Sequence, residues 1–307
     1  MNAPTRVVAF VVGVAAVFGL ALAVGNQVGP VRGSAEAAPG HSGSEAGEGH
    51  GAVASSASAG DTGTGADLPG GLLVSSGGYT LALRDPVANA GRDQEVAFTI
   101  QGPDGPVTAY DVEHEKQLHL IVVRRDFTGF QHVHPDLAPD GTWTVALDLT
   151  PGPWRVFADF TPTGGEALTL GADLSVPGRV AAASERPVTR VATVDGYTVG
   201  LTGDLESGEH SMLRLEVSRD GRPVTDLQPY LGAYGHLVAL RGGDLAYLHV
   251  HPEGEPGDGT TEPGPAVDFV AEVPSAGSYH LYLDFKHDGV VRTAQFALDT
   301  IEEAHAP

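Results

Sequence analysis

From about Leu72 onward, short runs rich in Val, Leu, Tyr, Phe and Thr alternate with turns rich in Gly, Pro and Asp. Representative runs are Tyr79–Leu83, Val96–Ile100, Leu118–Val123 and Trp154–Phe160. No segment of a dozen residues keeps a helical period, and short strands at this spacing are typical of a β-sandwich or a β-barrel. The pattern therefore predicts an all-β fold for this part of the chain.

The β-rich part of the chain is an internal repeat. Leu118–Pro135 reads LHLIVVRRDFTGFQHVHP and Gly235–Pro252 reads GHLVALRGGDLAYLHVHP, and their shared His, Arg and Pro positions differ by 117. Downstream, Gly152–Phe160 (GPWRVFADF) matches Gly277–Phe285 (GSYHLYLDF) with an offset of 125. The second copy thus carries 125 − 117 = 8 additional residues, which we assign to the acidic Gly/Pro stretch after Pro252.

Repeat and composition together divide the chain into six segments. We predict a hydrophobic helix over 1–25, a disordered acidic Gly/Ala/Ser stalk over 26–70, a first sandwich over 71–178, a linker over 179–189, a second sandwich over 190–300 and a tail over 301–307. Each repeat has the length of an immunoglobulin-like sandwich, about 100 residues. The signature of antibody domains, a buried tryptophan packed on a disulfide, is absent. We therefore predict only the architecture, which is two tandem immunoglobulin-like β-sandwiches.

The N-terminal segment contains an uncharged apolar run of 18 residues, Val7–Val24, preceded by Arg6. As a helix it rises about 27 Å, close to the hydrocarbon thickness of a bilayer. The basic flank is expected to stay cytoplasmic, which exports everything after Gly25. We therefore predict a single-pass cell-membrane protein, anchored through residues 7–24, with its C-terminal part outside the cytoplasm. Cleavage after the small-x-small sequence Ala21–Ala23 would make it a secreted protein instead.

Composition narrows the classes of partner and of site. The 307 residues include 39 Asp and Glu against 17 Lys and Arg, a net charge of −22, and this excess of acid argues against nucleic-acid binding. The chain has no cysteine, which excludes disulfides, thiolate nucleophiles and cysteine-ligated metal sites. Its two methionines, Met1 and Met212, make a sulfur-dependent copper(I) site the less favoured choice.

Three histidines keep their spacing in both copies, in the pattern His-x12-His-x-His-Pro. In the second copy, Gly242-Gly243 predicts a two-residue hairpin turn. Paired residue numbers would then sum to 485, with His236 directly opposite His249 and His251 on the same face. In the first copy, a loop of even length would bring the equivalent histidines to one face.

Such a patch has the composition of a metal site. Three imidazoles are a usual ligand set for zinc or copper(II), with a fourth position left open or filled by a carboxylate. The aspartate of the shared Asp-Phe pair could be that fourth ligand or could orient an imidazole N–H. The predicted metal residues are His119, His132, His134, Asp159, His236, His249, His251 and Asp284. The alternative is that these histidines are structural, since a histidine on a strand is often a packing residue.

The remaining charged positions have simpler explanations. Arg124 and Arg241 are expected to pair with Asp126 and Asp244 across the two turns. Four other histidines have no partner in the opposite copy and are predicted to lie on the surface: His114, His210, His280 and His287.

Catalytic motifs are weak or missing in the sequence. His249, His251 and Glu255 have the spacing of a cupin metal motif, but the first copy has Ala138 in place of the glutamate. No Gly-rich phosphate loop and no Gly-x-Ser-x-Gly elbow occurs, and nothing marks a general base for a zinc-bound water. We therefore expect a protein that is not an enzyme.

The two repeats resemble a group of exported bacterial proteins that carry HLxVxRxD…FxHxHP blocks on β-sandwich modules. The resemblance implies heavy-metal handling, copper especially, and it transfers only to His119, His132 and His134 and to their counterparts in the second copy. The methionine-rich loop of periplasmic copper carriers with similar sandwiches is missing, which leaves the metal open.

The sequence therefore predicts an exported, membrane-anchored protein that binds a divalent metal ion, zinc or copper(II), at one three-histidine site per sandwich. Its expected partners are the metal ion and the membrane, with no nucleic acid, and the sequence identifies no protein partner. The alternative function is a non-catalytic immunoglobulin-like interaction module at the cell surface, with structural histidines.

Overall fold

The computed structural model describes residues 68–180, 187–248 and 250–301, which all belong to one compact unit, Gly63–Pro307. The predicted hydrophobic helix, nearly all of the predicted stalk, the middle of the linker and the tail lie outside the described residues. Across the described ranges every regular element is a β-strand, and these ranges contain no helix that is long and apolar enough to cross a membrane.

Two antiparallel sheets form the first sandwich. The first sheet has the order β1-β2-β3-β8-β7, with β4 paired to β3, and the second has the order β10-β9-β5-β6. The strands are β1 (Ser75–Ser76), β2 (Tyr79–Leu83), β3 (Gly91–Gly102), β4 (Gly105–Pro106), β5 (Leu118–Arg124), β6 (Gln131–Val133), β7 (Asp136–Leu137), β8 (Thr142–Leu149), β9 (Gly152–Phe160) and β10 (Leu168–Val176). This order matches the two sheets of an immunoglobulin sandwich.

The second sandwich repeats this plan. Its sheets have the orders β11-β12-β14-β19-β18, with β15 paired to β14, and β13-β21-β20-β16-β17. The strands are β11 (Val191–Val194), β12 (Tyr197–Thr202), β13 (Leu205–Glu206), β14 (His210–Arg219), β15 (Arg222–Pro223), β16 (Gly235–Arg241), β17 (Tyr247–Leu248), β18 (Val250–Pro252), β19 (Ala266–Glu272), β20 (Ser278–His287) and β21 (Val290–Ile301). The prediction of an all-β fold with two tandem immunoglobulin-like sandwiches is confirmed.

Alternation of buried and exposed side chains builds each core. In β14, Leu213, Leu215 and Val217 point into the second core, while the residues between them are exposed or half-buried. In the first sandwich, Trp143 and Trp154 are both buried in the core without a disulfide beside them. Burial of large apolar side chains contributes about 1.5–3 kcal/mol each. Burial of this kind therefore stabilises the two cores without a disulfide bond.

Four strands depart from this alternation, because they are buried on both faces. In β5, Leu118, Leu120 and Val122 belong to the first core, while Ile121 and Val123 face the other way. A third apolar cluster joins the outward faces of β5 and β9 to those of β16 and β20; it consists of Ile121, Val123, Phe157, Val238, Leu240, Leu245 and Tyr282. The two sandwiches therefore pack against each other through their β5-containing and β16-containing sheets.

The predicted register of the second hairpin is wrong by two residues. Ala239 pairs with Leu248 and Leu240 with Tyr247, so paired numbers sum to 487. The turn is longer than the Gly-Gly pair predicted, because Arg241 and Ala246 are still joined by a backbone hydrogen bond of 2.9 Å. Leu245 adopts a φ of 65° and is 1% exposed, so burial of its side chain between the sandwiches accounts for the longer loop.

Candidate metal centre

The histidines of the first copy share one face of their hairpin. Ile121 pairs with His132 and Leu120 with Val133, so His119 and His134 project from the same side as His132. This side is the outward face of the sheet, which is covered by the second sandwich. The loop between β5 and β6 therefore has the even length that brings the three histidines to one face.

Three imidazole nitrogens converge at this hairpin. His119 Nδ1 lies 3.1 Å from His132 Nε2 and 3.2 Å from His134 Nε2. The ligand atoms of the three residues all lie within 4.8 Å of one another. Nitrogens that bind one tetrahedral zinc ion at its usual bond length are separated by about 3.3 Å. The side chains therefore already have nearly the spacing that a single ion requires.

The opposite nitrogens of two of these rings are held by acceptors. His119 Nε2 donates to the carbonyl of Glu113 at 3.1 Å, and His132 Nδ1 donates to the carboxylate of Asp284 at 2.8 Å. Because a carbonyl and a carboxylate can only accept, these contacts place the protons on the outer nitrogens. The lone pairs of His119 Nδ1 and His132 Nε2 are then directed toward the shared centre.

Asp284 reaches this centre from the second copy of the repeat. Its Oδ1 accepts a hydrogen bond of 2.6 Å from Thr293, and its Oδ2 accepts the bond from His132. The side chains of His132 and Asp284 are only 5% and 4% exposed. Asp159, the counterpart of Asp284, is the ladder partner of His119 and accepts a bond of 3.0 Å from Thr169. The carboxylate bonded to His132 is therefore that of the other copy.

Burial keeps His119, His134 and His236 neutral. Burial, with a smaller contribution from the neighbouring imidazoles, lowers the pKa of His119 to about 3 and the pKa of His134 to about 4. Burial also lowers the pKa of His236 to about 4. Proton competition for these nitrogens is consequently weak at neutral pH, since only the neutral ring can bind a metal ion.

Of the three histidines predicted to form a patch in the second copy, the structure describes His236 and His251. His236 lies on β16, and its Nε2 lies 2.8 Å from the carbonyl of Tyr230. His251 lies on β18, which pairs with β19 in the opposite sheet, and it is exposed. His249 lies outside the described residues. His236, His251 and Asp159 nevertheless line one cavity.

The structure revises two of the four predictions of surface histidines. His280 and His287 are buried rather than on the surface, because His280 stacks on Phe127 and His287 accepts from or donates to Tyr197 at 2.7 Å. His114 is exposed, but its ring centroid lies only 5.3 Å from that of His236.

Both predicted ion pairs across the turns are confirmed. Arg124 lies 2.9 Å from Asp126, and Arg241 lies 2.5 Å from Asp244.

Sequence reasoning missed the contact between the sandwiches, although one signal pointed to it. The segments LHLIVV and SYHLYLDF lack the polar alternation of a strand with one solvated face. Near-continuous apolar strands are typical of sheets that are covered on both sides. Reading these segments in that way would have placed the histidine faces between the sandwiches.

The fold and the site together define the class: tandem immunoglobulin-like sandwiches with a histidine cluster between them. The chain belongs to the family described as Domain of unknown function (DUF8832), whose model matches residues 74–178 and again residues 192–302. That description assigns no activity, so the resemblance to heavy-metal-handling proteins stays a prediction. No curated protein matches the chain.

Several solved structures have distant similarity. The Escherichia coli adhesin FdeC is 16% identical over 74% of this chain and 65% of that chain, with a TM-score of 0.25. The Yersinia pseudotuberculosis adhesin InvE is 11% identical over 72% and 58%, with a TM-score of 0.22. Domains 4 and 5 of the S-layer protein SbsC are 10% identical over 75% and 99%, also at 0.22. The chain thus spans less than two thirds of either adhesin chain, and likeness at this level says nothing about the site.

Proposed function

We propose that this protein binds a divalent metal ion, zinc or copper(II), at His119, His132 and His134, and that it serves in metal binding or buffering at the cell surface. The observation that carries the proposal is the convergence of three imidazole nitrogens whose spacing fits one ion. Two of these rings are also oriented through their outer nitrogens by acceptors, an arrangement that recurs around metal-bound histidines.

A hydrogen-bond argument supports the same proposal. With its proton on Nε2, His119 has one lone pair on Nδ1, yet Nε2 atoms of two other rings lie 3.1 and 3.2 Å away. One lone pair cannot satisfy two such neighbours at once. A cation at the centre would accept all three lone pairs. Zinc and copper(II) suit this set because imidazole is a preferred ligand of both.

The second candidate is a cell-surface interaction module in which the histidines are structural. The buried contact between His132 and Asp284 favours this second candidate, because a hydrogen bond between the two sandwiches stabilises their packing without a metal ion. FdeC and InvE are named as adhesins, which is compatible with such a module. Their TM-scores of 0.25 and 0.22 are too low for this similarity to support the second candidate.

Calorimetric titration of the full chain with zinc and with copper(II) at neutral pH tests the proposal. We expect saturable binding that His134→Ala weakens strongly and that His210→Ala leaves unchanged. His210 is a matched control, because it is exposed on β14 and outside the histidine cluster. No saturable binding of either ion by the unaltered chain would reject the proposal and favour the interaction module.

A further inference from the structure

A cavity of about 120 Å³ lies between the two sandwiches beside the three-histidine centre. The first copy contributes His114, His119 and His132 to its lining, and the second copy contributes His236 and His251. Imidazoles from both copies therefore line one shared cavity.

His236 is oriented in the same way as His119. In the first copy, Glu113 and Lys116 exchange both backbone hydrogen bonds of a two-residue turn, and in the second copy Tyr230 and Ala233 do the same. The carbonyl of Glu113 accepts from His119 Nε2, and the carbonyl of Tyr230 accepts from His236 Nε2 at 2.8 Å. His236 therefore also carries its lone pair on Nδ1.

His114 adds a ligand that the repeat does not supply to the other copy. It occupies the first central position of the turn with a φ of 46°, where the second copy has the buried Leu231. Its ring centroid lies 5.3 Å from that of His236, whereas the rings of His119 and His132 are 5.4 Å apart. The separation of the His114 and His236 rings thus falls within the range of 4.9–5.4 Å found in the three-histidine centre.

One carboxylate connects the two groups of imidazoles. Asp284 is the ladder partner of His236 on β16, while its Oδ2 accepts from His132 Nδ1. The rings of His132 and His236 are 6.4 Å apart. A second ion at His236 and His114 would therefore lie within a few ångströms of the first, with His251 lining the same cavity.

We infer that the two copies build a single two-ion centre between the sandwiches, in which His236 and His114 bind a second divalent ion next to the three-histidine ion. This inference rests on the proposed function and deepens it, because two independent sites, one in each sandwich, become one shared centre. The ligands of the second position come from both copies, so neither sandwich holds it alone.

Electron paramagnetic resonance of the full chain, loaded with one and then two equivalents of copper(II), tests the inference. Two copper(II) ions a few ångströms apart give a half-field transition, which isolated ions do not. We expect this transition to appear only with the second equivalent. His114→Ala should weaken binding of the second ion by at least about tenfold, leave the first ion unchanged and abolish the half-field signal, while His210→Ala changes nothing.

Each outcome decides between the two proposals. Two bound ions with the spectrum of isolated copper centres would overturn the shared centre and leave the three-histidine site intact. The same conclusion follows if a single ion binds with an affinity that depends on His134 but not on His114. If the chain binds no copper(II), or binds it independently of His134, the proposed function fails together with the inference.

Discussion

The two copies of the repeat share a hairpin register but differ in where the chain changes sheets. In the first copy, β6 continues to Val133 beside β5, and the chain joins the other sheet at Asp136. In the second copy, β17 ends at Leu248, and Val250 already pairs with β19 in the other sheet. With the offset of 117, this change comes three residues earlier in the second copy.

This earlier change of sheet gives the last histidine of the motif different surroundings in the two copies. In the first copy His134 stays next to His119, with their nearest nitrogens 3.2 Å apart. In the second copy the change of sheet places His251 on β18, where its side chain is exposed. The position of the sheet change therefore gives His134 and its counterpart His251 different surroundings, although both follow the same spacing of histidines.

The largest expected effect is a loss of stability at acidic pH, which we attribute to buried imidazoles that both copies share. His119 and His236 have folded pKa values of about 3 and about 4, below the value of about 6.5 in an unfolded chain. As the pH falls below about 6.5, the unfolded state gains protons that the folded state does not bind, so stability is lost until the folded pKa is reached.

Each of these two imidazoles should then remove up to about 1.4 kcal/mol of unfolding free energy per pH unit, or several kcal/mol across the window. Urea unfolding of the metal-free chain at a series of pH values measures this loss. His134, with a pKa of about 4, contributes in the same window, so in His236→Gln the slope between about pH 6 and pH 4 should fall by roughly a third. An unchanged slope in that variant would mean that His236 is not a buried neutral group.

The contact between the sandwiches gives the next largest effect. Tyr282 stacks on Phe130 with ring centroids 3.9 Å apart and donates to the carbonyl of Phe127 at 2.8 Å. Its counterpart Phe157 meets Tyr247 at the longer distance of 5.8 Å. Tyr282→Ala should lower the unfolding free energy by about 3–5 kcal/mol, because it empties a packed interface.

The matched variant Tyr282→Phe removes only the hydroxyl and should cost about 1 kcal/mol. Denaturant unfolding measures both variants. Equal losses in the two variants would contradict a role for the ring stack and assign the effect to the hydrogen bond.

Metal binding should separate the two copies. His134→Ala should weaken the first ion by more than about 100-fold, because losing a ligand exceeds the 10–100-fold effect of losing a group that only orients one. His251→Ala, the same change in the second copy, should leave that ion within about threefold of its original affinity. Titration calorimetry measures both. Similar losses in the two variants would show that the copies contribute equally to the first ion.

The smallest expected effect tests the carboxylate that crosses between the copies. Asp284→Asn should weaken the first ion by about 10–100-fold, because the amide no longer accepts as a carboxylate does from His132 Nδ1. Asp159→Asn, the matched change in the first copy, should weaken it less. The opposite ranking would mean that each aspartate serves the histidines of its own copy.

Much of the architecture could be predicted from local patterns. Alternation with a period of two predicts the strands, and a loop of even length then places His119, His132 and His134 on one face. Arg124 and Asp126 lie close in sequence at a turn, and their ion pair follows from that proximity. The register of the second hairpin was not predictable in the same way, because burial of Leu245 outweighs the turn preference of Gly242-Gly243.

The sequence by itself determined what depends on neighbouring residues: the strands and the duplication. Only the tertiary structure decided that Asp284 bonds to His132, that His114 meets His236, and that His251 leaves its sheet. Those outcomes depend on how two sandwiches bury their outer faces against each other. Such packing is set by long-range shape and apolar area, which no local spacing encodes.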